Sequence, residues 1–233
     1  MSKAIAVIPT LNEYKNVKVL LEEFLNFQLD VIFIDDNSSD QTQELIQEHP
    51  LYNSKYFLIK RKSKLGYASA CIRGIDFARE RKYKTVIQMD ADLSHSCKDL
   101  KFLLDSYENE NADVIIGSRY IQNGSIEGWG FYRKYLSLFA NLVCSKILKI
   151  GIHDYTSGFR VYRNEALYSL EFEKITVEGY SFLVEVIYRI HKNNFQIIEK
   201  PIVFKDRLNG KSKLSKKIIF ESVFNLFKMK FKK

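Results

Sequence analysis

The sequence predicts an α/β fold in which a mostly parallel sheet is flanked by helices on both faces. Strand-like and helix-like segments alternate along the 233 residues of the chain. The strand segments are also nearly continuous runs of valine and isoleucine, which is typical of parallel strands that are buried on both faces. Since ligands bind beyond the carboxyl ends of such strands, the residues that follow each strand are the first candidates for a site.

The predicted elements follow one another in a regular order. The strands cover residues 4–10, 31–36, 55–60, 85–89 and 113–119, and the helices between them cover residues 15–26, 43–48, 68–81 and 98–108. A polar turn at 37–42 precedes the second helix and carries residues that favour helix N-termini. A chain of this length is sufficient for one well-packed domain and a small appendage. We expect the domain at residues 1–210 and the appendage at residues 211–233.

Composition and charge restrict the class of protein. The content of 46% hydrophobic and 27% charged residues is that of a soluble globular protein rather than a disordered one. The three cysteines, Cys71, Cys97 and Cys144, stand at unrelated spacings, which argues against a disulfide framework or a zinc site and fits a reducing, cytoplasmic setting. We find no signal-peptide core and no apolar run of the roughly 18 residues that span a bilayer. The net charge of +8 predicts an anionic partner, which is nucleic acid, a lipid surface or a phosphorylated substrate.

Two carboxylates at the end of the fourth predicted strand are the strongest candidates for chemistry. Asp90 and Asp92 stand at positions i and i+2, so an extended backbone points both side chains to the same side. Beside the hydroxyl of Ser94 they offer the hard oxygen ligands that Mg²⁺ or Mn²⁺ prefers, and such a cation leaves coordination positions for substrate phosphates. The pattern predicts a metal clamp for a nucleotide diphosphate. The alternative is a solvated turn in which Asp92 caps the next helix.

Four motifs at the predicted strand ends carry a family resemblance. They are Pro9-Thr10-Leu11-Asn12-Glu13, Asp35-Asp36-Asn37-Ser38-Ser39-Asp40, Met89-Asp90-Ala91-Asp92-Leu93-Ser94-His95 and Gly117-Ser118-Arg119-Tyr120. Together they resemble the family 2 glycosyltransferases of GT-A fold, and within that family they are most similar to the polyprenyl (dolichyl) phosphate mannose synthases. The likeness covers residues 4–213 in the right order, with further matches at Trp129, Arg133, 154–160, 179–182, Arg207 and 210–213.

The chain departs from the family pattern at three places. Leu11 stands where the family usually has tyrosine, so a ring that would lie against the nucleotide base is missing. Ser96 and Cys97 follow the acidic motif in place of prolines, and Tyr155 stands where proline is common. These differences bear on the identity of the donor more than on the reaction class.

The resemblance implies an inverting, metal-dependent transfer of a hexose to a polyprenyl phosphate. The sugar and donor that it favours are mannose and GDP-mannose. It places the donor against Pro9, Leu11, Glu13, Asp36, Asp90 and Ala91, and Mg²⁺ or Mn²⁺ on Asp90 and Asp92. A phosphate monoester is already largely a dianion at neutral pH, so this acceptor needs no catalytic base. The resemblance instead gives catalytic roles to Asp92 at the leaving diphosphate, and to the arginines that would surround the phosphates, which are Arg119, Arg133 and Arg207.

Several alternatives stay open. The donor is alternatively a UDP-sugar, or the acceptor is a sugar hydroxyl, in which case Glu178 is the candidate base. With a lipid phosphate acceptor, Glu185 is expected to be structural. His95 is expected to pack or to hydrogen-bond, because this cation prefers oxygen. Asp154 and Arg160 either belong to the site or are scaffold residues, with Asp154 anchoring the turn at 156–158 and Arg160 paired to a carboxylate.

Two other protein classes are weaker alternatives. A nucleotidyltransferase also uses a carboxylate-held metal, but the sequence has no glycine-rich, arginine-containing phosphate loop after its first strand. A non-catalytic basic module would explain the charge of +8 but not the acidic pair, which repels phosphates unless a metal is present.

Two segments bear on how a lipid acceptor would be reached. A helix over residues 136–150 has a broad apolar face, which suits either core packing or membrane contact. A helix over residues 214–231 is apolar on one side and rich in lysine on the other, so it suits either a lipid interface or docking on the domain. We therefore expect a peripheral protein on the cytoplasmic face of a membrane. Its expected partners are a nucleotide-sugar donor and a polyprenyl phosphate, without nucleic acid.

Overall fold

The structure is a computed structural model that describes residues 4–206, and its centre is a sheet to which those residues contribute seven strands. The strands of the chain are β1 (Ala4–Thr10), β2 (Asp30–Asp35), β3 (Tyr56–Lys60), β4 (Thr85–Gln88), β5 (Val114–Ser118), β6 (Ser125–Glu127), β7 (Arg160–Arg163), β8 (Ile197–Pro201) and β9 (Val203–Lys205). The α-helices are α1 (Tyr14–Glu23), α2 (Thr42–Gln47), α3 (Tyr67–Glu80), α4 (Cys97–Asn109), α5 (Phe131–Leu148), α6 (Asn164–Tyr168) and α7 (Tyr180–Lys192). The order in the large sheet is β3-β2-β1-β4-β7-β5-β8, and β6 pairs with β9 in a small second sheet.

The predicted fold class is confirmed. β1 pairs in parallel with both β2 and β4, β2 with β3, and β5 with β8. The predicted strands and helices of the first 119 residues lie within one residue of their expected bounds, apart from the first helix, which ends in the 3-10 turn Phe24–Asn26. The carboxyl ends of β1, β2, β4 and β5 consequently meet at one edge of the sheet.

One central strand was not predicted. β7 runs antiparallel between β4 and β5, with Ile87 opposite Val161 on one side and Ile115 opposite Val161 on the other. Its sequence, Arg160-Val161-Tyr162-Arg163, lacks the run of valine and isoleucine that marks the parallel strands. This strand joins the half of the sheet that ends near Asp90 to the half that ends near Arg119.

Alternating side chains of the strands form two apolar layers. In β1, Ile5 and Val7 pack in the layer that contains α3 and α7, whereas Ala6 and Ile8 pack in the layer that contains α1 and α4. All four side chains are at most 1% exposed. Full burial stabilises a large aliphatic side chain by about 1.5–3 kcal/mol. These layers therefore hold the strand ends, and the residues that follow them, in fixed positions.

Three predictions concern residues at or beyond the limits of the described chain. Arg207, the predicted appendage at 211–233 and its helix at 214–231 lie outside the described residues, so their positions stay predictions. Between residues 4 and 206, each helix is too short or too polar to cross a bilayer.

Candidate functional site

A cleft of about 370 Å³ lies at the carboxyl edge of the sheet. Its walls include every predicted site residue within 4–206, namely Pro9, Leu11, Glu13, Asp36, Asp90, Ala91, Asp92, Arg119 and Arg133. The expectation that residues far apart in sequence share one crevice is thus confirmed, whereas their individual roles stay predictions. Sequence reasoning missed Lys64 and Tyr67, which also line the cleft. The signal for them was a basic stretch, 60–64, just before a helix, at an edge where ligands were expected.

A wider depression of about 990 Å³ lies at the opposite edge, beside the amino ends of β1 and β4. Two of its charged groups have protein partners. Asp30 accepts a hydrogen bond of 2.6 Å from the hydroxyl of Tyr83, and Lys55 donates to the carbonyl of Phe27. Because the chemistry-bearing motifs all lie at the other edge, we assign the site to the smaller cleft.

The acidic pair lies directly after β4, and its second member is fixed by its own turn. Oδ1 of Asp92 accepts hydrogen bonds from the backbone N–H of Ser94 at 3.1 Å and from its hydroxyl at 2.5 Å. Asp92 is only 5% exposed. The predicted alternative, in which Asp92 caps the next helix, is wrong. Ser96 is the N-cap of α4, and its hydroxyl oxygen accepts the N–H of Asp99 at 3.0 Å.

The donor set at this turn suits one kind of cation. Within residues 4–206, no three side chains of histidine, cysteine, aspartate or glutamate gather into a complete metal cage. Asp90 and Asp92 alone fit Mg²⁺ or Mn²⁺, because such ions keep several waters and take the remaining ligands from substrate phosphates. The hydroxyl of Ser94 is directed to Asp92, which makes it a support for that carboxylate.

Asp36 connects the sheet edge to the segment before α3. Its carboxylate forms an ion pair of 2.7 Å with Arg61, and it accepts the backbone N–H of Gly66 at 3.0 Å. The neighbouring Asp35 is turned away from the cleft and accepts hydrogen bonds from Thr10 at 2.9 Å and from Ser38. Asp36 thus holds the 61–66 segment, including Lys64, at the rim of the cleft. This is the part of the cleft where Asp36 was expected to contact the donor.

Arg119 is fixed within the protein by a buried carboxylate. Its Nε and Nη2 each donate to Asp154 at 2.7 Å, and Nη2 also donates to Thr156 at 2.8 Å. Burial by itself would lower the pKa of Arg119, but the charge and hydrogen bonds of Asp154 outweigh it and raise the pKa. Burial would likewise raise the pKa of Asp154, yet Arg119 holds that pKa below its ordinary value. The scaffold role of Asp154 is confirmed, with Arg119 as the principal partner.

Arg160 pairs with no carboxylate among the described residues 4–206, so that prediction was wrong there. The side chain is fully buried and donates to the carbonyl oxygens of Leu183 and Tyr155, each at 2.8 Å, and to the hydroxyl of Tyr162 at 3.3 Å. Carbonyl oxygens replace a counter-ion here because α7 and the 155–160 turn converge on the strand.

Arg133 and Trp129 form a second cationic wall of the cleft. Nη1 of Arg133 donates to Asp206 at 2.7 Å, and its guanidinium carbon lies 3.9 Å from the centre of the Trp129 ring. Nε of Arg133 and Nε1 of Trp129 are buried donors that make no hydrogen bond with any residue of the described range 4–206. A buried donor without a partner costs about 1–3 kcal/mol. Two such donors at one place therefore suit an anionic ligand.

His95 has the packing and hydrogen-bonding role expected for it. Its Nδ1 accepts the backbone N–H of Asp90 at 3.3 Å, and its ring stacks on Phe159 with centroids 4.6 Å apart. Burial lowers the pKa of His95, against the opposing effect of Asp90 and Asp92. Through this hydrogen bond the ring positions the backbone of Asp90, the first residue of the acidic pair.

Two glutamates have structural partners. Oε2 of Glu178 accepts the N–H of Ala68 at 3.2 Å, in the first turn of α3. Glu185 is 5% exposed and accepts a hydrogen bond of 2.9 Å from Nε of Arg189, as its predicted structural role requires. The proposed base for a hydroxyl acceptor is therefore engaged at a helix N-terminus.

Helix α5 has one buried and one exposed face. Its buried positions are Ser137, Asn141, Cys144 and Leu148. The exposed apolar side chains, called the α5 strip below, are Phe131, Tyr132, Tyr135, Leu138, Phe139 and Leu142. Core packing therefore accounts for only part of the predicted apolar face. A strip of this size next to the cleft is typical of an interaction surface.

Comparison with known proteins agrees with this geometry. The model of "Glycosyl transferase family 2" matches residues 5–170 of the chain. The chain is 34% identical over 227 residues to the polyprenol monophosphomannose synthase of Mycolicibacterium smegmatis, covering 96% of this chain and 85% of that protein. It is 31% identical over 226 residues to the undecaprenyl-phosphate mannosyltransferase of Micrococcus luteus, covering 96% and 92%. Glucosyl-3-phosphoglycerate synthase from Mycobacterium tuberculosis in complex with UDP shares the fold, with a TM-score of 0.67, 14% identity and coverage of 97% and 79%.

Proposed function

Because the chain belongs to glycosyl transferase family 2, we propose that this glycosyltransferase moves mannose from GDP-mannose to a polyprenyl phosphate. We further propose that it inverts the sugar carbon and uses Mg²⁺ or Mn²⁺ at Asp90 and Asp92. The two relatives named above, a polyprenol monophosphomannose synthase and an undecaprenyl-phosphate mannosyltransferase, support the sugar and the class of acceptor. A UDP-sugar donor is the alternative, since Leu11 lacks the aromatic ring usual in the family.

The observation that carries the proposal is that one cleft is lined both by an acidic pair, Asp90 and Asp92, and by the cationic side chains of Arg119 and Arg133. A divalent cation at Asp90 and Asp92 would offset the charge that develops on the leaving nucleoside diphosphate. The turn that fixes Asp92 sets this carboxylate before substrate binds. Pro9, Leu11, Glu13, Asp36 and Ala91 would surround the donor from the strands that end beside the pair.

The acceptor phosphate would bind beside Arg119, Trp129 and Arg133, which also line the cleft. Nε of Arg133 and Nε1 of Trp129 would donate hydrogen bonds to its oxygens, and Asp154 fixes the guanidinium of Arg119 near them. A phosphate oxygen attacks the anomeric carbon, a new carbon–oxygen bond forms, and the bond to the diphosphate breaks with its electron pair. Because the attacking phosphate is already ionised, no proton has to be removed. Arg207, outside the described residues, stays part of this proposal.

Two observations support a lipid phosphate over a sugar hydroxyl as the acceptor. A hydroxyl acceptor needs a base, and the candidate Glu178 is engaged with the N-terminus of α3. The α5 strip begins two residues after Trp129 and gives an apolar surface beside the acceptor side of the cleft. We propose that this strip and the basic segment 211–233 bring the protein to the cytoplasmic face of a membrane as a peripheral protein.

The test is transfer of labelled sugar into organic-extractable lipid, with GDP-mannose and UDP-glucose supplied in parallel. The reaction contains a short polyprenyl phosphate and either Mg²⁺ or Mn²⁺. We expect label from GDP-mannose to enter the lipid and a chelator to abolish this transfer. If only UDP-glucose gives labelled lipid, the donor in the proposal is wrong and a UDP-sugar takes its place. Without label from either donor, in a folded and metal-replete protein, the lipid phosphate acceptor would be wrong.

A further inference from the structure

A chain of buried polar side chains connects Arg160 with the cleft. The hydroxyl of Tyr162 accepts from Nη1 of Arg160 at 3.3 Å and donates to Oε1 of Gln88 at 3.1 Å. Nε2 of Gln88 then donates to the hydroxyl of Tyr67 at 3.1 Å, and that hydroxyl hydrogen-bonds to the carboxylate of Asp90. Arg160 and Tyr162 are fully buried and Gln88 is 3% exposed. Four links therefore run without a break from a buried charge to the acidic pair.

The arginine fixes the direction of every link. A guanidinium has only donors, so the oxygen of Tyr162 must accept and its proton must point to Gln88. The amide of Gln88 then presents its oxygen to Tyr162 and its nitrogen to Tyr67. The hydroxyl of Tyr67 accepts from that nitrogen, and its own proton is left for Asp90. Hydrogen bonds aligned in this way polarise one another, so the last donor is strengthened by the first.

Gly158 lies beside the last link, where a side chain would crowd the hydroxyl of Tyr67. An added Cβ at Gly158 would lie 3.0 Å from the Tyr67 hydroxyl and 3.5 Å from Oδ1 of Asp90. Arg160, two residues further on, also holds the carbonyl of Tyr155 and the carbonyl of Leu183 in α7. One side chain, Arg160, therefore anchors the turn that contains Gly158 and also donates the first hydrogen bond of the series that ends at Asp90.

We propose that Arg160, Tyr162, Gln88 and Tyr67 act as a positioning relay that holds the carboxylate of Asp90 in the orientation that binds the cation and the donor. The inference rests on the proposed function, in which Asp90 is a ligand of Mg²⁺ or Mn²⁺. Groups that orient metal ligands typically change metal affinity by about 10–100-fold when they are removed. Tyr67 and its three supporters are therefore positioning residues rather than catalytic ones.

The test compares Mn²⁺ binding, measured by electron paramagnetic resonance with GDP present, in the full chain and two phenylalanine variants. Tyr67→Phe keeps the ring and removes the last donor, so we expect Mn²⁺ to bind about 10–100-fold more weakly. Tyr168→Phe is the matched control, because it removes a hydroxyl that donates to the backbone carbonyl of Tyr83 away from the cleft. The control should bind Mn²⁺ as the wild type does.

A second variant separates a relay from local packing. Tyr162→Phe removes the hydroxyl that joins Arg160 to Gln88, three links away from Asp90, and it should also weaken Mn²⁺ binding. The double variant Tyr67→Phe/Tyr162→Phe should bind no more weakly than Tyr67→Phe alone, because both changes interrupt one chain. In turnover assays, the Mn²⁺ concentration at half-maximal rate should rise in each variant, while the rate at saturating Mn²⁺ falls less.

The outcomes distinguish the relay from the proposed function. Wild-type affinity in Tyr67→Phe, or additive losses in the double variant, would overturn the relay and leave the metal site intact. Wild-type protein that binds no Mn²⁺ in the presence of GDP, nor in a parallel measurement with UDP, would overturn the metal site, and the relay with it. The unfolding midpoint of each variant is also measured without metal. An unchanged midpoint shows that weaker Mn²⁺ binding does not result from unfolding of the variant.

Discussion

Arg119 and Asp154 form a two-pronged ion pair, 35 residues apart in sequence, whose side chains are 4% and 0% exposed. Removing one member leaves the other buried without compensation, which costs about 3–5 kcal/mol. We therefore expect Asp154→Ala to lose about that much free energy of unfolding in chemical denaturation. Asp105→Ala removes an exposed i,i+4 partner of Lys101 and should cost about 0.5 kcal/mol or less. Similar losses in the two variants would contradict the importance of burial for this pair.

Asp92→Ala should lower turnover by at least about 100-fold, as expected when a main electrostatic stabiliser is removed. It accepts two hydrogen bonds from Ser94 in its own turn, so the variant is expected to fold. Sugar transfer at saturating donor and metal measures the effect, with Asp105→Ala as an aspartate control on the far side of α4. Near-normal turnover of Asp92→Ala would remove the metal assignment.

The buried ring of His95 should make stability depend on pH. Because its pKa is lowered in the folded protein, the unfolded chain takes up the proton first as the pH falls. The contribution of His95 to the free energy of unfolding is therefore fully present above the ordinary histidine pKa of about 6.5. It decreases below that pH, by at most about 1.4 kcal/mol per pH unit. Denaturation at pH values between about 7 and 5 should show a steeper slope for wild type than for His95→Gln.

The α5 strip should bind lipid. We expect Leu138→Glu/Leu142→Glu to reduce sedimentation with vesicles that contain phosphatidylglycerol by about tenfold or more, because two carboxylates replace apolar contacts at an anionic interface. Phe102→Glu, on α4, is the matched control, since Phe102 and Leu138 are each 43% exposed. Equal vesicle binding by the two variants would contradict a specific role of the α5 strip in binding lipid.

Deleting residues 214–233 should also weaken vesicle binding, because about 1 kcal/mol of attraction is lost with each lysine near an anionic surface. Activity on a short, detergent-soluble acceptor should be retained, since that substrate requires no membrane. Unchanged vesicle binding would return this segment to a packing role. Raising the salt concentration on the full chain provides the control, because it should weaken the electrostatic part alone.

Sequence reasoning succeeded where one side chain pattern decides the structure. The runs Ile5–Ile8 and Val31–Ile34 are buried on both faces, so they identify parallel strands without knowledge of their neighbours. The positions of Asp90 and Asp92 follow from the strand that ends before them. The grouping of the site residues then follows from the common edge of a parallel sheet.

It failed where distant partners decide. The polar β7 strand is stabilised by β4 and β5 on either side, and neither neighbour can be read from its four residues. The same holds for Arg160, whose acceptors are carbonyl oxygens of Tyr155 and Leu183 rather than a carboxylate. Backbone acceptors have no sequence signature, so only the folded chain shows them.

The position of β7 has a consequence for synthesis. A ribosome produces the chain from its N-terminus, so β1 to β5 emerge before the strand that joins β4 to β5. Until then the acidic pair and the arginine wall belong to separate pieces, each with an unpaired strand edge that is prone to association. The cleft is therefore incomplete until Arg160–Arg163 enters the sheet between β4 and β5.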